Sequence, residues 1–259
     1  MADREHVQEL SLFLLDYATS LLGAGVHTSR AVRNISRIAE AYGYRADISL
    51  SQKNIMMSIS SQEDATVRRT TVRKLKPLHF NFVHIQDLSA LTWRAWDDRV
   101  PLGVLVEEYH RMMAKARYPM WLVMLCASAA NASFCRLFGG DWTAMGVVFV
   151  ATFAGFFIRQ MLAKRHLNHL AIFVIAAFVA SMIASMATCH HWGGTPEVAL
   201  ASSVLFLVPG VQLINAVMDL LDGHILNGVQ RGIQAGMLII CIALGLTLTM
   251  LIVGIQWMS

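Results

Sequence analysis

The chain has 259 residues, 56% hydrophobic and 15% charged, with a net charge of +4 and a mean hydropathy of +0.51. Residues 1–117 carry 16 of the 21 Lys and Arg and 13 of the 17 Asp and Glu, so the composition reads as a water-soluble N-terminal domain (1–117) followed by a membrane domain (118–259). The small, scattered positive balance argues against a nucleic-acid partner, and the charge-poor second part excludes a wholly soluble chain.

No charge-free apolar core lies in the first twenty residues, which hold Asp3, Arg4, Glu5, Glu9 and Asp16. No signal peptide is therefore expected, and the N-terminal domain is expected to stay in the cytoplasm. The first helix is read over 4–22 from Val7, Leu10, Phe13, Leu14, Tyr17, Ala18 and Leu21. Gly23 and Gly25 punctuate it. Thr28 or Ser29 can cap a second helix over about 29–42, with Val32, Ile35, Ile38 and Ala39 on its apolar face. Three strand-like stretches follow near 45–51, 54–60 and 65–73, with clear alternation only in the first. Helices over 81–98 and 101–117 complete an α+β domain, with Pro101 suited to the first turn of the latter.

From Tyr118 onward the sequence predicts an all-α polytopic domain of five membrane helices, near 118–136, 142–159, 167–189, 197–221 and 230–257. Trp121, Trp142, Trp192 and Trp257 fall near helix ends, where aromatic side chains favour the interface. Arg159, Lys164, Arg165 and His166 are placed in the 2–3 loop and Arg231 in the 4–5 loop. The other two loops hold only Arg136, so the basic loops are expected to face the cytoplasm. That leaves the N-terminal domain inside and the C-terminus outside, in the periplasm of a bacterial inner membrane. An odd number of spans completes no pair of inverted halves, so a second membrane subunit is expected.

The fourth span carries the strongest functional signal. Residues 198–218 are uncharged and are interrupted by Pro209 and Gly210. Pro removes a backbone donor and Gly loosens the chain. Beyond them Gln212, Asn215, Asp219 and Asp222 recur at i, i+3, i+7 and i+10, one polar stripe on a helix. A broken helix with a polar stripe at mid-depth is how transporters build substrate sites. Pro209, Gly210, Gln212 and Asn215 are the candidate substrate-binding residues. The dipole of the second half-helix would face a substrate carboxylate, and Asn215 and Gln212 would hydrogen-bond it. Asp219 is the candidate for a coupling ion or proton. Asp219 and Asp222 sit where the helix dipole disfavours carboxylates, so Arg231 or a cation is expected beside them. Gly223 and Gly228 are read as giving the 4–5 loop flexibility.

Elsewhere, Gly139 and Gly140 permit a tight turn, with Asp141 as a cap for the next helix and Arg136 as its gate partner. Cys189, His190 and His191 lack a fourth ligand, and no metal is expected. Cys126, Cys135, Cys189 and Cys241 form no CxxC pair and are expected to be buried, reduced thiols. Residues 22–30 could form a phosphate-binding turn but lack a preceding strand and a Walker lysine. A helix boundary is the better reading there. No catalytic residues and no cofactor are expected.

Three of these motifs occur together in a known pattern. Leu22-Gly23-Ala24-Gly25 with Thr28 and Arg30, the Arg136…Gly139-Gly140-Asp141 turn, and Pro209-Gly210…Asn215-Ala216…Asp219-Leu220…Gly223…Gly228…Arg231 resemble the threonine/serine exporter family. The resemblance implies a cytoplasmic N-terminal domain before the membrane part, in either a fused or a split form. At this length it implies the larger subunit of a split, succinate-exporting type, with a small polytopic partner of the same superfamily. The reading is therefore a subunit of a secondary exporter of small carboxylates, succinate first and threonine or serine as the alternative, driven by a proton or ion gradient. Two other classes are a membrane-anchored signalling or interaction protein, which moves no solute, and a channel, whose flux is uncoupled.

Overall fold

A computed structural model describes residues 2–51, 54–64, 66–115, 118–165, 167–190 and 192–254. His166, His191, Trp257 and the expected end of the last span lie outside the described residues. Packing divides the chain into two units. One is Met1–Ala116 with Val211–Gly232, and the other is Arg117–Gly210 with Ile233–Ser259. The sequence suggests a single boundary near 117, whereas the structure also groups 211–232 with the N-terminal unit.

In the first unit, α1 (Ala2–Gly23) buries Leu10, Leu14, Tyr17, Ala18 and Leu21 completely. Its apolar positions recur at the helical period, so one helix lines most of the core. Helix α2 (Thr28–Ala41) lays Ala31, Ile35, Ile38 and Ala39 against it. Strands β1 (Tyr44–Leu50), β2 (Asn54–Ser61) and β3 (Arg68–Lys74) form an antiparallel meander in the order β1-β2-β3. Ser58 of β2 sits opposite Asp47 and Thr70. Alternation is strong in β2 as well, where Ile55, Met57 and Ile59 are all fully buried. Helices α3 (Phe82–Asp97) and α4 (Leu102–Met113) close the core with Leu88, Leu91 and Leu105. The Tyr17 hydroxyl donates to the Leu88 carbonyl at 3.0 Å and meets Thr92 Oγ1 at 2.6 Å. Burial pushes the Tyr17 pKa up to about 12.

The second unit holds α5 (Met120–Leu137), α6 (Trp142–Lys164), α7 (His169–Cys189), the short α8 (Pro196–Ser202) and a 3-10 turn (Leu205–Leu207). It also holds most of α10 (Ile225–Val253). Among the described residues four helices, α5, α6, α7 and α10, are long and apolar enough to cross a membrane. The broken pair of Pro196–Leu207 and Gly210–Leu221 makes a fifth if it counts as one span. Small residues let these helices approach. Ala176, Ala177, Ala180 and Ala184 of α7 are fully buried. A Cβ on Gly245 would lie 2.6 Å from the Val174 carbonyl oxygen. Polar pairs stitch the same bundle. Asn131 Nδ2 donates to Thr152 Oγ1 at 2.6 Å and to the Ser202 carbonyl at 3.1 Å. Ser181 and Thr249 hydroxyls meet at 2.6 Å.

Helix α4 ends at Met113 rather than near 117, and β3 runs Arg68–Lys74 rather than 65–73. Two further boundaries that differ from the expected ones move basic residues from loops into helices. Helix α6 runs on to Lys164, so Arg159 is helical and its guanidinium lies 4.9 Å over the Phe173 ring and 5.7 Å over Phe156. Aromatic faces hold this cation inside the bundle. Helix α10 starts at Ile225, so Gly228 and Arg231 are helical too. Gly228 therefore supplies close packing rather than loop flexibility. A Cβ there would lie 2.9 Å from the Ala216 carbonyl oxygen and 2.7 Å from Leu220. Of the cysteines, Cys135 and Cys241 are buried, whereas Cys126 and Cys189 are exposed free thiols on helix surfaces.

Gly245→Ala is expected to destabilise the protein by about 1–3 kcal/mol through overpacking. Gly146, where an added Cβ meets nothing within 4 Å, is the contrast. Alanine there should be neutral or stabilise by up to about 1 kcal/mol. Thermal unfolding of the two variants in detergent measures both.

Candidate functional site

The candidate site lies within the first unit, where α9 (Gly210–Leu221) and the start of α10 meet the loop between α1 and α2. Gly25 shapes that loop. It sits at φ +95°, and a Cβ there would collide with the Phe80 ring. The Gly23 carbonyl accepts from the His79 amide at 2.8 Å and the Ala24 carbonyl from the Asn81 amide at 3.1 Å. The next residues turn their polar groups toward α9 and α10.

Asp219 is the centre of the arrangement, with 0% of its surface exposed. Oδ1 accepts from the Thr28 backbone amide at 2.7 Å, and Oδ2 accepts from the Thr28 hydroxyl at 3.0 Å. Arg231 Nη1 lies 3.2 Å from Oδ2, and Arg231 Nη2 donates to the Val26 carbonyl at 3.2 Å. Asn215 Nδ2, one turn before Asp219, donates to the Gly25 carbonyl at 2.7 Å. Asn227 Nδ2 reaches the Thr28 hydroxyl at 3.5 Å. The Asp219 backbone carbonyl accepts from the His224 amide at 2.8 Å, which closes the α9–α10 turn. A buried carboxylate without partners would be strongly destabilising, and these donors supply what water would have given. Thr28 is the first residue of α2, and His27 caps that helix without a side-chain hydrogen bond. Its hydroxyl is thus committed to Asp219 rather than to the capping expected of it.

His27 Nδ1 lies 3.9 Å from Asp222 Oδ2. Burial pushes the His27 pKa below its ordinary value of 6.5, against an upward pull from Asp219 and Asp222 and with a downward push from Arg33 and Arg30. Beside the cluster opens a cleft of about 310 Å³, lined by Thr28, Val32 and Leu50 on one side and by His224, Leu226 and Asn227 on the other.

The structure thus brings together Asn215, Asp219, Asp222 and Arg231. Gln212 does not join them, and its Oε1 is buried without a hydrogen-bond partner among the described residues. Pro209 and Gly210 belong to the second unit, where Pro209 follows the 3-10 turn and precedes α9. Arg136 and Asp141 also lie in the second unit and form no ion pair with each other among the described residues. Arg136 Nη1 donates to the Gly140 carbonyl at 2.9 Å and lies 5.3 Å over the Trp142 ring. Asp141 caps α6 by accepting from the Ala144 amide at 2.7 Å. Its other oxygen takes the Gly194 amide at 2.5 Å. These two amides hold the Asp141 carboxyl below the usual carboxylate range. His190 stacks on Trp192 at 5.6 Å, and no metal-binding group of three appears among the described residues.

The loop residues Gly25, Val26, His27 and Thr28 are the part of the cluster that sequence reasoning missed. The signal was the joint presence of the first and third motifs, which touch here across 191 residues. Arg30, quoted in the same motif, turns to Ser89 instead at 2.9 Å.

A family model described as "Putative threonine/serine exporter" matches residues 12–253. The chain belongs to the threonine/serine exporter family. It is a multi-pass membrane protein by its family and its apolar helices. It is 38% identical over 152 residues to the "Probable succinate transporter subunit YjjP" of Escherichia coli, covering 58% of this chain and 59% of the relative. It is 28% identical over 256 residues to the protein of the same name from Klebsiella aerogenes, covering 98% of each. It is 22% identical over 237 residues to the "Probable threonine/serine exporter" of Mycobacterium tuberculosis, covering 88% of this chain and 43% of that one. The aligned regions therefore span under two thirds of the first of these relatives and under half of the third. No solved structure matches the chain.

A histidine whose folded pKa is lowered binds fewer protons in the folded state. The docked loop is therefore stable above about pH 6.5 and weakens as pH falls through that value. Hydrogen exchange at the Thr28 amide, which is bonded to Asp219, corrected for intrinsic rates, is expected to speed up between about pH 7.5 and about pH 5.5. His27→Gln should remove that dependence. A corrected rate independent of pH in the unmodified protein contradicts it.

Proposed function

We propose that the chain is a subunit of an inner-membrane secondary exporter of small carboxylates, with succinate the first candidate. Polar groups brought together by α9, the second half of a broken helix pair, and the start of α10 carry this reading. Asn215 and Arg231 offer donors, and Asp219 offers a buried acceptor. Donors of this kind suit a carboxylate. The names of the Escherichia coli and Klebsiella relatives support succinate. Threonine or serine is the second reading. Asp219 takes both an N–H and an O–H from Thr28, the two donors a hydroxy amino acid would bring, and the mycobacterial relative's name agrees.

The partner in this proposal is a small polytopic membrane subunit. Support comes from the word "subunit" in two relatives' names and from the 43% share of the longer mycobacterial protein that this chain matches. The N-terminal domain, 1–117, is placed in the cytoplasm. Lys164 and Arg165, at the α6–α7 connection, are the basic residues that favour this orientation. A transporter reading leaves no role for catalysis. A membrane-anchored interaction protein remains the rival of another class, and it would move no solute.

Export is measured in cells carrying the chain with its membrane partner. Asn215→Ala is expected to weaken apparent substrate affinity about tenfold, the loss of about 1.4 kcal/mol. Asp219→Asn should abolish coupled export while the protein remains in the membrane. Pro209→Ala should lower turnover. Export at the unmodified rate by all three variants places the substrate path elsewhere.

A further inference from the structure

The polar groups just assigned to a substrate are already occupied by the chain itself. The Gly25 and Val26 carbonyls take the donors of Asn215 and Arg231, as a carboxylate's two oxygens would. Thr28 gives its N–H and its O–H to the two oxygens of Asp219. We infer that residues 25–28 act as an intramolecular plug, which fills the Asn215, Asp219 and Arg231 set and must part from it before those groups can take a ligand. The inference rests on the proposed function of that set and adds its regulation.

The moving part follows from what holds each side. Val26 is buried in the core of the first unit with 3% exposure. The residues before it are pinned by the His79 and Asn81 amides. The loop is therefore the fixed side. The α9–α10 hairpin meets it through polar contacts and buries only Ala216 and Asp219 of α9. Its outer face carries the exposed Ile214, Val217 and Leu221, and Gly223 at φ +83° turns the chain between its helices. The hairpin is the side that swings. The cleft between Val32 and Leu226 is where the two sides begin to separate.

A reversible bridge across that cleft tests the plug. Val32→Cys and Leu226→Cys lie outside the polar set. They are introduced after Cys126→Ser and Cys189→Ser remove the exposed thiols. A bifunctional methanethiosulfonate should join the pair, as read by mass, and cut export at least tenfold. Reductant should restore export to the level of the untreated pair. Ser49→Cys with Leu226→Cys repeats the test across the same cleft if the first pair does not export when reduced. A bridged chain that exports as fast as the same pair with its thiols free overturns the plug, and so does failure of both pairs to bridge. Neither result touches the substrate assignment, which falls instead if Asn215→Ala exports with unchanged affinity.

Discussion

A carboxylate with no exposed surface has to be paired, and Asp219 is paired by a residue 191 positions away in the chain. Both oxygens receive hydrogen bonds from Thr28, and Arg231 adds the charge. Removing one partner of such a buried group costs about 3–5 kcal/mol, because the remaining charge keeps its desolvation penalty. Much of the site geometry follows from this constraint. Thr28 cannot cap its own helix, the loop before it must present carbonyls to Asn215 and Arg231, and α10 must begin early enough to carry Arg231 on its second turn.

The same constraint explains the glycines that the hairpin needs. Arg231 reaches Asp219 only if α9 and α10 lie close together, and Gly228 leaves room for the Ala216 carbonyl and the Leu220 side chain. It also explains why 211–232 packs with the first unit although its composition belongs with the membrane helices. The second unit is held differently. Small residues on α7 and α10, the buried Ser181–Thr249 hydroxyl pair and the Asn131 bridge do there what the Asp219 cluster does in the first.

Local signals in the sequence were enough for most of the elements. The 3.6-residue period of α1 and α2, the break at Pro209 and the Asp141 cap each depend on neighbours within a few positions. What was not legible depends on distant partners. Arg159 and Arg231 read as loop cations because a charge ordinarily ends a span. Phe156 and Phe173 shelter the one, and Asp219 pairs with the other. Gly228 read as flexible because the close approach of Ala216 is not written in its own neighbourhood. Residues 22–28 read as a helix boundary, which they are. Their second task, as the counterpart of the stripe on α9, needs the fold. Gln212 belongs to the stripe by spacing alone and stays outside the cluster.

Membership of the threonine/serine exporter family gives these contacts a setting in which a polar hairpin held by an N-terminal loop would open and close during transport. The central claim is that Thr28 and Asp219 act as one unit. A double-mutant cycle of Thr28→Val and Asp219→Asn, read by unfolding free energy in detergent, tests it most directly. The account predicts a coupling of about 1.5–3 kcal/mol, the range of a hydrogen bond to a charged group. Additive effects, with a coupling below about 0.5 kcal/mol, would contradict it.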